Sequence, residues 1–228
     1  MIDYLAGTTV LIDKPYKWTS FDVVNKMRWN LKQLLGVKNI KVGHAGTLDP
    51  LATGLLIICI GKDTKKIDNF MGGMKTYTGT FLLGKTTPCY DLEKQFDAEY
   101  PTEHITEEAI QKVVESFLGV QDQMPPIFSA KQVDGKRAYD LARAGKEVVL
   151  KTNSIEINSF TVDASRFPEI DFEISCSKGT YIRSIANDFG KKLDSGATLI
   201  ALRRTKSGDL SIENAHQVEK WIENLSNN

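Results

Sequence analysis

The stretch VGHAGTLDPLATGLLIICIG, residues 42–61, decides how the rest of the chain is read. It joins a polar, glycine-bearing loop, with Gly43, His44, Gly46, Thr47 and Asp49, to an unbroken apolar run, Leu55, Leu56, Ile57, Ile58, Cys59 and Ile60. The apolar half is short, rich in β-branched residues and closed by Gly61, which predicts a strand buried on both faces. The polar half then stands at the entrance to the core. Pro50 disfavours the helical region for Asp49 and pushes it towards extended backbone. Gly43 and Gly46 allow backbone angles or close approaches that a Cβ would block. A carboxylate held on a fixed loop beside a dry core is one way to prepare a reactive acid. An Asp-Pro step in an ordinary turn is the other reading of the same residues.

Working outward, residues 8–13 (TTVLID) read as a strand that Lys14-Pro15 ends. Thr19 offers an N-cap, with Asp22 completing a capping box. Phe21, Val24, Met27, Leu31, Leu34 and Leu35 follow at helical spacing, and Gly36 supplies the stop. After the central strand, Asp63 can cap a short helix through Phe70. Residues 76–84 read as a strand that Tyr77 opens, and residues 96–104 as a loop. Thr106 caps a helix with Glu107 and Glu108 in its first turn, a buried stripe of Ile110, Val113, Val114 and Phe117, and Gly119 at its end. Beyond the stiff Pro125-Pro126 come a strand over 128–133, a turn at Asp134-Gly135 and a helix over 137–144. Strands follow over 148–151, 154–164 and 170–177. A glycine turn then leads into a helix with Ile182, Ile185, Ala186 and Phe189 inward and Tyr181 and Arg183 at its start. An arginine in a first turn opposes the helix dipole, so a carboxylate partner is expected for Arg183. A strand over 197–206, a turn at 207–209 and a helix over 214–225 complete the chain.

Composition excludes several classes. At 228 residues the chain suits one large domain or two small ones, and 41% apolar with 25% charged residues is ordinary for a globular protein. No apolar run approaches the ~20 residues of a membrane helix, and the N-terminus has no signal-peptide pattern. Cys59, Cys89 and Cys176 are odd in number and far apart, so neither a disulfide framework nor a zinc site is expected, and a reducing cytoplasm fits. Net charge is zero, which is unlike a nucleic-acid binder. The charges are nevertheless clustered. Residues 91–108 are acidic, whereas basic residues gather at Lys62, Lys65 and Lys66, at Lys131, Lys136, Arg137, Arg143 and Lys146, and at Arg203, Arg204 and Lys206. A basic face can coexist with a neutral total.

GHAGTLDPLATGLL, residues 43–56, resembles the signature of the tRNA pseudouridine-55 synthase family, in which its aspartate is catalytic. DKPYKWTS resembles the family's first motif, with Lys17 where a glycine is expected. If that position needs positive φ, Lys17 is strained. KTYTGTFLLG, TTPCYD, PPIFSAKQVDGKRAYDLARAG, CSKGTYIRSIANDFG and LIALRRTKSG resemble further family motifs. The resemblance runs over nearly the whole sequence. Longer family members continue into a PUA domain for which this chain has no room, so a single catalytic domain over residues 1–228 is expected.

The resemblance implies an α+β fold, a mixed, mostly antiparallel sheet flanked by helices, with a central active-site cleft. It implies isomerisation of uridine 55 in the TΨC stem-loop of tRNA, with no cofactor, no metal, no guide RNA, no membrane and no obligatory protein partner. Asp49 is the expected catalyst and could add to carbon 6, attack the anomeric carbon, or remove the 2′ proton. All three routes need it ionised, so an Asp49–Arg183 pair is expected. Tyr77 is placed to stack on the flipped uracil and assist proton loss at carbon 5. Tyr181 and Leu202 line the pocket, His44 contacts the RNA loop, and Asp91 lies near the site. Arg203, Arg204, Arg143 and Lys131 are expected phosphate contacts. Two other readings remain: an RNA-binding folding helper without essential catalysis, and a nucleoside hydrolase using Asp91 as a second carboxylate.

Overall fold

The apolar run forms the strand Thr53–Ile60, in which every residue but Thr53 is buried. The structure, a computed structural model, describes residues 3–128, 132–133, 136–137 and 150–225. In chain order its elements are β1 (Thr8–Lys14), α1 (Ser20–Leu35), β2 (Val42–Ala45), β3 (Thr53–Ile60), a 3-10 turn (Gly61–Lys66), α2 (Ile67–Met71), β4 (Lys75–Leu83), β5 (Lys85–Thr86), β6 (Ala98–Glu99), α3 (Glu107–Glu115) and β7 (Gly119–Gln123). Then follow β8 (Gln132–Val133), β9 (Lys136–Arg137), β10 (Asn153–Arg166), β11 (Glu169–Cys176), α4 (Ile182–Lys192), β12 (Ala197–Ser207), β13 (Leu210–Ser211), a second 3-10 turn (Ile212–Asn214), β14 (His216–Gln217) and α5 (Val218–Leu225).

The chain divides into two compact units, one of residues 1–77 and 202–228, the other of residues 78–201. Each is α+β, a mixed, mostly antiparallel sheet flanked by helices. In the first, strands run in the order β14-β1-β3-β12, with β2 also on β3 and β13 on β12. β1 and β2 are antiparallel to β3, while β12 is parallel to it. The two faces of β3 explain its composition. Leu56, Ile58 and Ile60 pack with Val23, Val24, Met27 and Leu31 of α1 and Val218, Trp221 and Leu225 of α5. Ile57 and Cys59 pack with Ala45, Leu11, Ile67 and Phe70. A strand covered on both sides has no use for polar alternation.

The second unit carries the order β12-β4-β11-β10-β7. Its core is aromatic: Phe81 stacks on Phe172 at 4.2 Å between centroids, and Phe160 meets both edge-on at 6.4 Å. Phe189 of α4 packs tilted against Phe81 and Phe160, which fixes that helix on the sheet.

Most local expectations hold. Thr19 and Asp22 form the capping box and Gly36 closes α1 at φ 62°. Thr106 caps α3 by accepting from Ala109 N–H. Several differ, for identifiable reasons. Phe21 is 58% exposed and Leu34 is also exposed, so the buried stripe of α1 runs through Val23 instead. Phe21 is about 120° round the helix from Met27 and lies under the Arg28 guanidinium. Asp63 caps nothing; the turn starts before it, and its carboxylate binds Thr9 Oγ1 and Lys66. α3 stops at Glu115, and Gly119 opens strand β7 against β10. The loop expected over 96–104 contains β6. α5 starts only at Val218, because His216 and Gln217 pair with Ile12 and Asp13. Phe128 sits in a bend, Arg137 belongs to β9, and residues 150–151 form no strand. Residues 138–144 and 148–149, where a helix and a strand were expected, lie outside the described residues.

Lys17, in the place of the motif glycine, has φ 66° and is exposed. A Cβ in the left-handed region costs about 1 kcal/mol, so Lys17→Gly should raise the melting temperature by roughly 2–4 °C. A lower melting temperature for that variant would contradict the strain.

Candidate active site

β2 and β3 form a hairpin, pairing His44 with Ile58 and Ala45 with Ile57. The loop that joins them, residues 46–52, carries Asp49 and closes with Ala52 N–H on the Asp49 carbonyl at 3.1 Å. His44 is therefore a strand residue, and the polar loop is shorter than the sequence suggests. Gly46 takes φ 83°, the left-handed region that favours glycine, whereas a Cβ on Gly43 would meet only the movable Ile67 Cδ1, at 2.7 Å.

Three buried polar side chains hold this loop at alternate residues. Arg204 Nη2 donates to the Gly46 carbonyl at 2.9 Å while its Nε donates to the Leu55 carbonyl at 2.8 Å. Ser20 Oγ accepts from Leu48 N–H at 2.9 Å and donates to the Leu48 carbonyl. Lys14 Nζ donates to the carbonyls of Pro50, Pro15 and Trp18. Lys14 is 0% exposed and Arg204 2%. The loop backbone on both sides of Asp49 is thus fixed by donors that cannot trade their partners for water. Burial pulls the Lys14 ammonium down to about 8, although the carboxylates of Asp49 and Asp22 act the other way.

Asp49 itself is half-buried, as are His44, Tyr77 and Leu202. His44 Nδ1 is buried with no hydrogen-bond partner among the described residues. Burial, then the charge of Arg204, pushes the imidazole below its usual range, so it is neutral at neutral pH. A neutral ring can stack or accept but is no phosphate cation. Tyr77 is the third residue of β4, which opens at Lys75 rather than at Tyr77, and the Leu202 carbonyl accepts from Thr53 Oγ1. Arg203 grips Asp13 with both guanidinium nitrogens, at 3.0 and 2.7 Å, and Gln217 binds the same carboxylate. Arg204, expected at phosphates, is an interior loop brace; its burial corrects that expectation.

The remaining described residues belong to the second unit. Tyr181 is the N-cap of α4, tied by its backbone to the buried Gln123 side chain through bonds of 2.8 and 3.0 Å. Ser184 Oγ donates to the Met124 carbonyl, so the start of α4 is pinned to the end of β7. Arg183 follows in the first turn, its side chain 5% exposed. Its Nε lies 3.5 Å from Asp91 Oδ2, also 5% exposed, and its Nη1 donates to the Phe128 carbonyl at 3.0 Å. Asp91 is the carboxylate that this helix start calls for, and Oδ1 accepts from Glu93 N–H and Cys89 Sγ. Lys131 and Arg143 lie outside the described residues. The residues expected in one site are thus divided between the units, Asp49, His44, Tyr77, Leu202 and Arg203 in one, Asp91, Tyr181 and Arg183 in the other.

Lys14, Ser20, Gln123 and Cys89 were not singled out as site residues from sequence. Lys14 left a signal, since TTVLIDK puts it on the same strand face as the buried Ile12. Gln123 sits in a segment without periodicity and left none.

Residues 32–182 match the model of the TruB family pseudouridylate synthase N-terminal domain. The tRNA pseudouridine synthase B of Flavobacterium johnsoniae is 53% identical over 224 residues, 98% of each chain. The chain belongs to the TruB family. The tRNA pseudouridine synthase B of Phocaeicola vulgatus, another TruB relative, is 52% identical over 97% of this chain and 94% of its own. Among solved structures, a chain of a Cbf5-Nop10-Gar1 complex superposes with TM-score 0.71 at 26% identity, over 96% of this chain and 54% of that one. The present chain therefore spans about half of that solved chain. The TruB domain match includes Asp49, Tyr77, Asp91 and Tyr181, whereas Lys14, Arg183 and Arg204 fall outside it and inside the near-complete alignments to the TruB relatives. No helix of the described residues is long and apolar enough to cross a membrane.

The Lys14 environment sets a pH dependence. Its folded value near 8 lies below its ordinary 10.5. Between those values the unfolded chain still holds a proton that the folded chain has released, so the stability attributable to Lys14 rises with pH and is lost as pH falls through 8. Relative to Lys14→Met, the wild type should gain on the order of 2 kcal/mol between pH 8 and 10. Urea unfolding of both proteins across that range measures the difference, and parallel profiles would refute the assignment.

Proposed function

We propose that this chain is a tRNA pseudouridine synthase acting on uridine 55 of the TΨC stem-loop, with Asp49 as its catalytic acid group. The observation that carries the reading is the braced loop. A half-buried carboxylate sits between backbone positions held by Lys14, Ser20 and Arg204. The motif around it belongs to a chain whose near-full-length relatives are named tRNA pseudouridine synthase B. Preorganisation of one reacting group to sub-ångström tolerance is what such bracing provides.

The reaction breaks the bond between N1 of uracil and C1′, turns the base, joins C5 to C1′ and releases the C5 proton. Nothing is oxidised and no group is imported, so one carboxylate with a base-holding pocket suffices. Asp49 acts ionised, by addition at carbon 6, attack at the anomeric carbon or removal of the 2′ proton. Arg183 is its counter-ion in this reading, and Asp91 orients Arg183. Tyr77 stacks on the extruded uracil and assists loss of the C5 proton. Tyr181 and Leu202 give the pocket its walls. Flipping a base costs a few kcal/mol, and an aromatic partner returns about 1–3 kcal/mol of it. His44, neutral at neutral pH, contacts the RNA loop around the vacated base. Lys131 and Arg143 meet phosphates, whereas the Arg203 guanidinium is held by Asp13. The substrate is free tRNA in the cytoplasm, without guide RNA or protein partner. The buried, fully engaged Asp91 argues against the hydrolase reading, because a second hydrolytic carboxylate must reach water.

Asp49→Asn should abolish tritium release from carbon-5-labelled uridine in tRNA, by at least about 1,000-fold, while tRNA binding changes little. Arg183→Met should do the same. Full turnover by Asp49→Asn, or loss of binding with intact turnover per bound tRNA, would instead favour a folding helper; free uracil among the products would favour a hydrolase.

A further inference from the structure

Asp91 can orient Arg183 only while its own carboxylate keeps one plane. Oδ2 faces the guanidinium at 3.5 Å. Oδ1 receives two donors, Glu93 N–H at 3.0 Å and Cys89 Sγ at 3.0 Å. With one oxygen held from two sides, rotation about the Cβ–Cγ bond breaks two hydrogen bonds and removes Oδ2 from the arginine. Cys89 is 1% exposed and is a free thiol. Burial, then the hydrogen bond to Asp91, pushes that thiol above its ordinary value, so it carries its proton at neutral pH and donates. The neighbouring carbonyl of Asp91, 3.3 Å from Sγ, is already served by Thr87 Oγ1 at 2.7 Å. That leaves the carboxylate as the better acceptor for the single S–H, since charged acceptors take the stronger bond.

We propose that Cys89 is a positioning residue for the isomerisation, its thiol locking the Asp91 carboxylate that in turn orients Arg183. This rests on the reading of Arg183 as counter-ion to the catalytic Asp49. Packing alone would make the residue replaceable by anything of similar volume. A donor role makes it replaceable only by another donor. The two are separated by Cys89→Val, which fills the site with apolar groups and no donor, and Cys89→Ser, which keeps a donor with a smaller atom.

The test measures kcat and KM for tRNA in wild type, Cys89→Val, Cys89→Ser and Asp49→Asn, with thermal unfolding to verify folding. Loss of a hydrogen bond to a charged group predicts a kcat about 10-fold lower in Cys89→Val with KM within about twofold, and recovery to within about threefold of wild type in Cys89→Ser. Equal activity of Cys89→Val and wild type, or Cys89→Ser no better than Cys89→Val, would overturn the proposal while leaving the synthase reading intact. Wild type that forms no pseudouridine would overturn both. A readout independent of turnover is the infrared S–H band, identified by its disappearance in Cys89→Ser. It should shift to higher frequency in Asp91→Asn, and an unmoved band would also overturn the proposal.

Discussion

The Lys14 ammonium, the Ser20 hydroxyl and the Arg204 guanidinium reach the backbone of Gly46, Leu48 and Pro50 from three separate parts of the first unit. Surface loops ordinarily satisfy their carbonyls with water and move accordingly. This one does not, because two of its partners are interior cations. An ionised group without water is held by the carbonyls it has, and losing one leaves a desolvated charge. The constraint works in both directions. The loop needs the cations to be rigid, and the cations need the loop to be buried. Asp49 inherits its fixed backbone from that mutual dependence.

The second unit uses a related arrangement at the start of α4. Gln123 duplicates a strand-like pair of hydrogen bonds to the Tyr181 backbone, and Ser184 adds a third tie to Met124. Arg183 then emerges from a helix end whose dipole repels it. Asp91 offsets that repulsion, and Asp91 is in turn set by groups within two residues of itself. A cation placed against the local field is thus kept there by an anion that is itself braced.

Periodicity carried the parts of this fold that depend on burial. The two-faced strand β3 follows from six consecutive apolar residues, and α1 and α3 from their caps and stripes. It failed where partners lie far along the chain. β7 has an edge position and mostly exposed residues, so nothing in GVQDQ distinguishes strand from loop until β10 pairs with it. β14 is two residues long and exists only because β1 lies beside it. The same division applies to the site. Asp49, His44, Tyr77 and Arg183 are singled out by motifs, which are local strings. The braces are not, since Lys14, Ser20, Gln123 and Cys89 act through contacts to backbone or carboxylate, most of them far along the chain. Lys14 is the instructive exception, a cation on the inward face of a strand, which burial statistics treat as an anomaly.

The basic run at the end of β12 shows how far charge counting misleads at this scale. Arg203, Arg204 and Lys206 look like a phosphate-binding cluster in sequence. In the fold Arg204 is consumed by two carbonyls and Arg203 by a bidentate carboxylate, leaving Lys206 as the exposed member. An RNA phosphate would have to displace Asp13 from Arg203, exchanging one well-formed ion pair for another at little net gain. Of the exposed cations in the 3-10 turn after β3, Lys66 is paired with Asp63, and Lys62 and Lys65 have less to give up. A chain with no net charge that buries Arg183 and Arg204 offers fewer arginines to long-range attraction than its sequence counts.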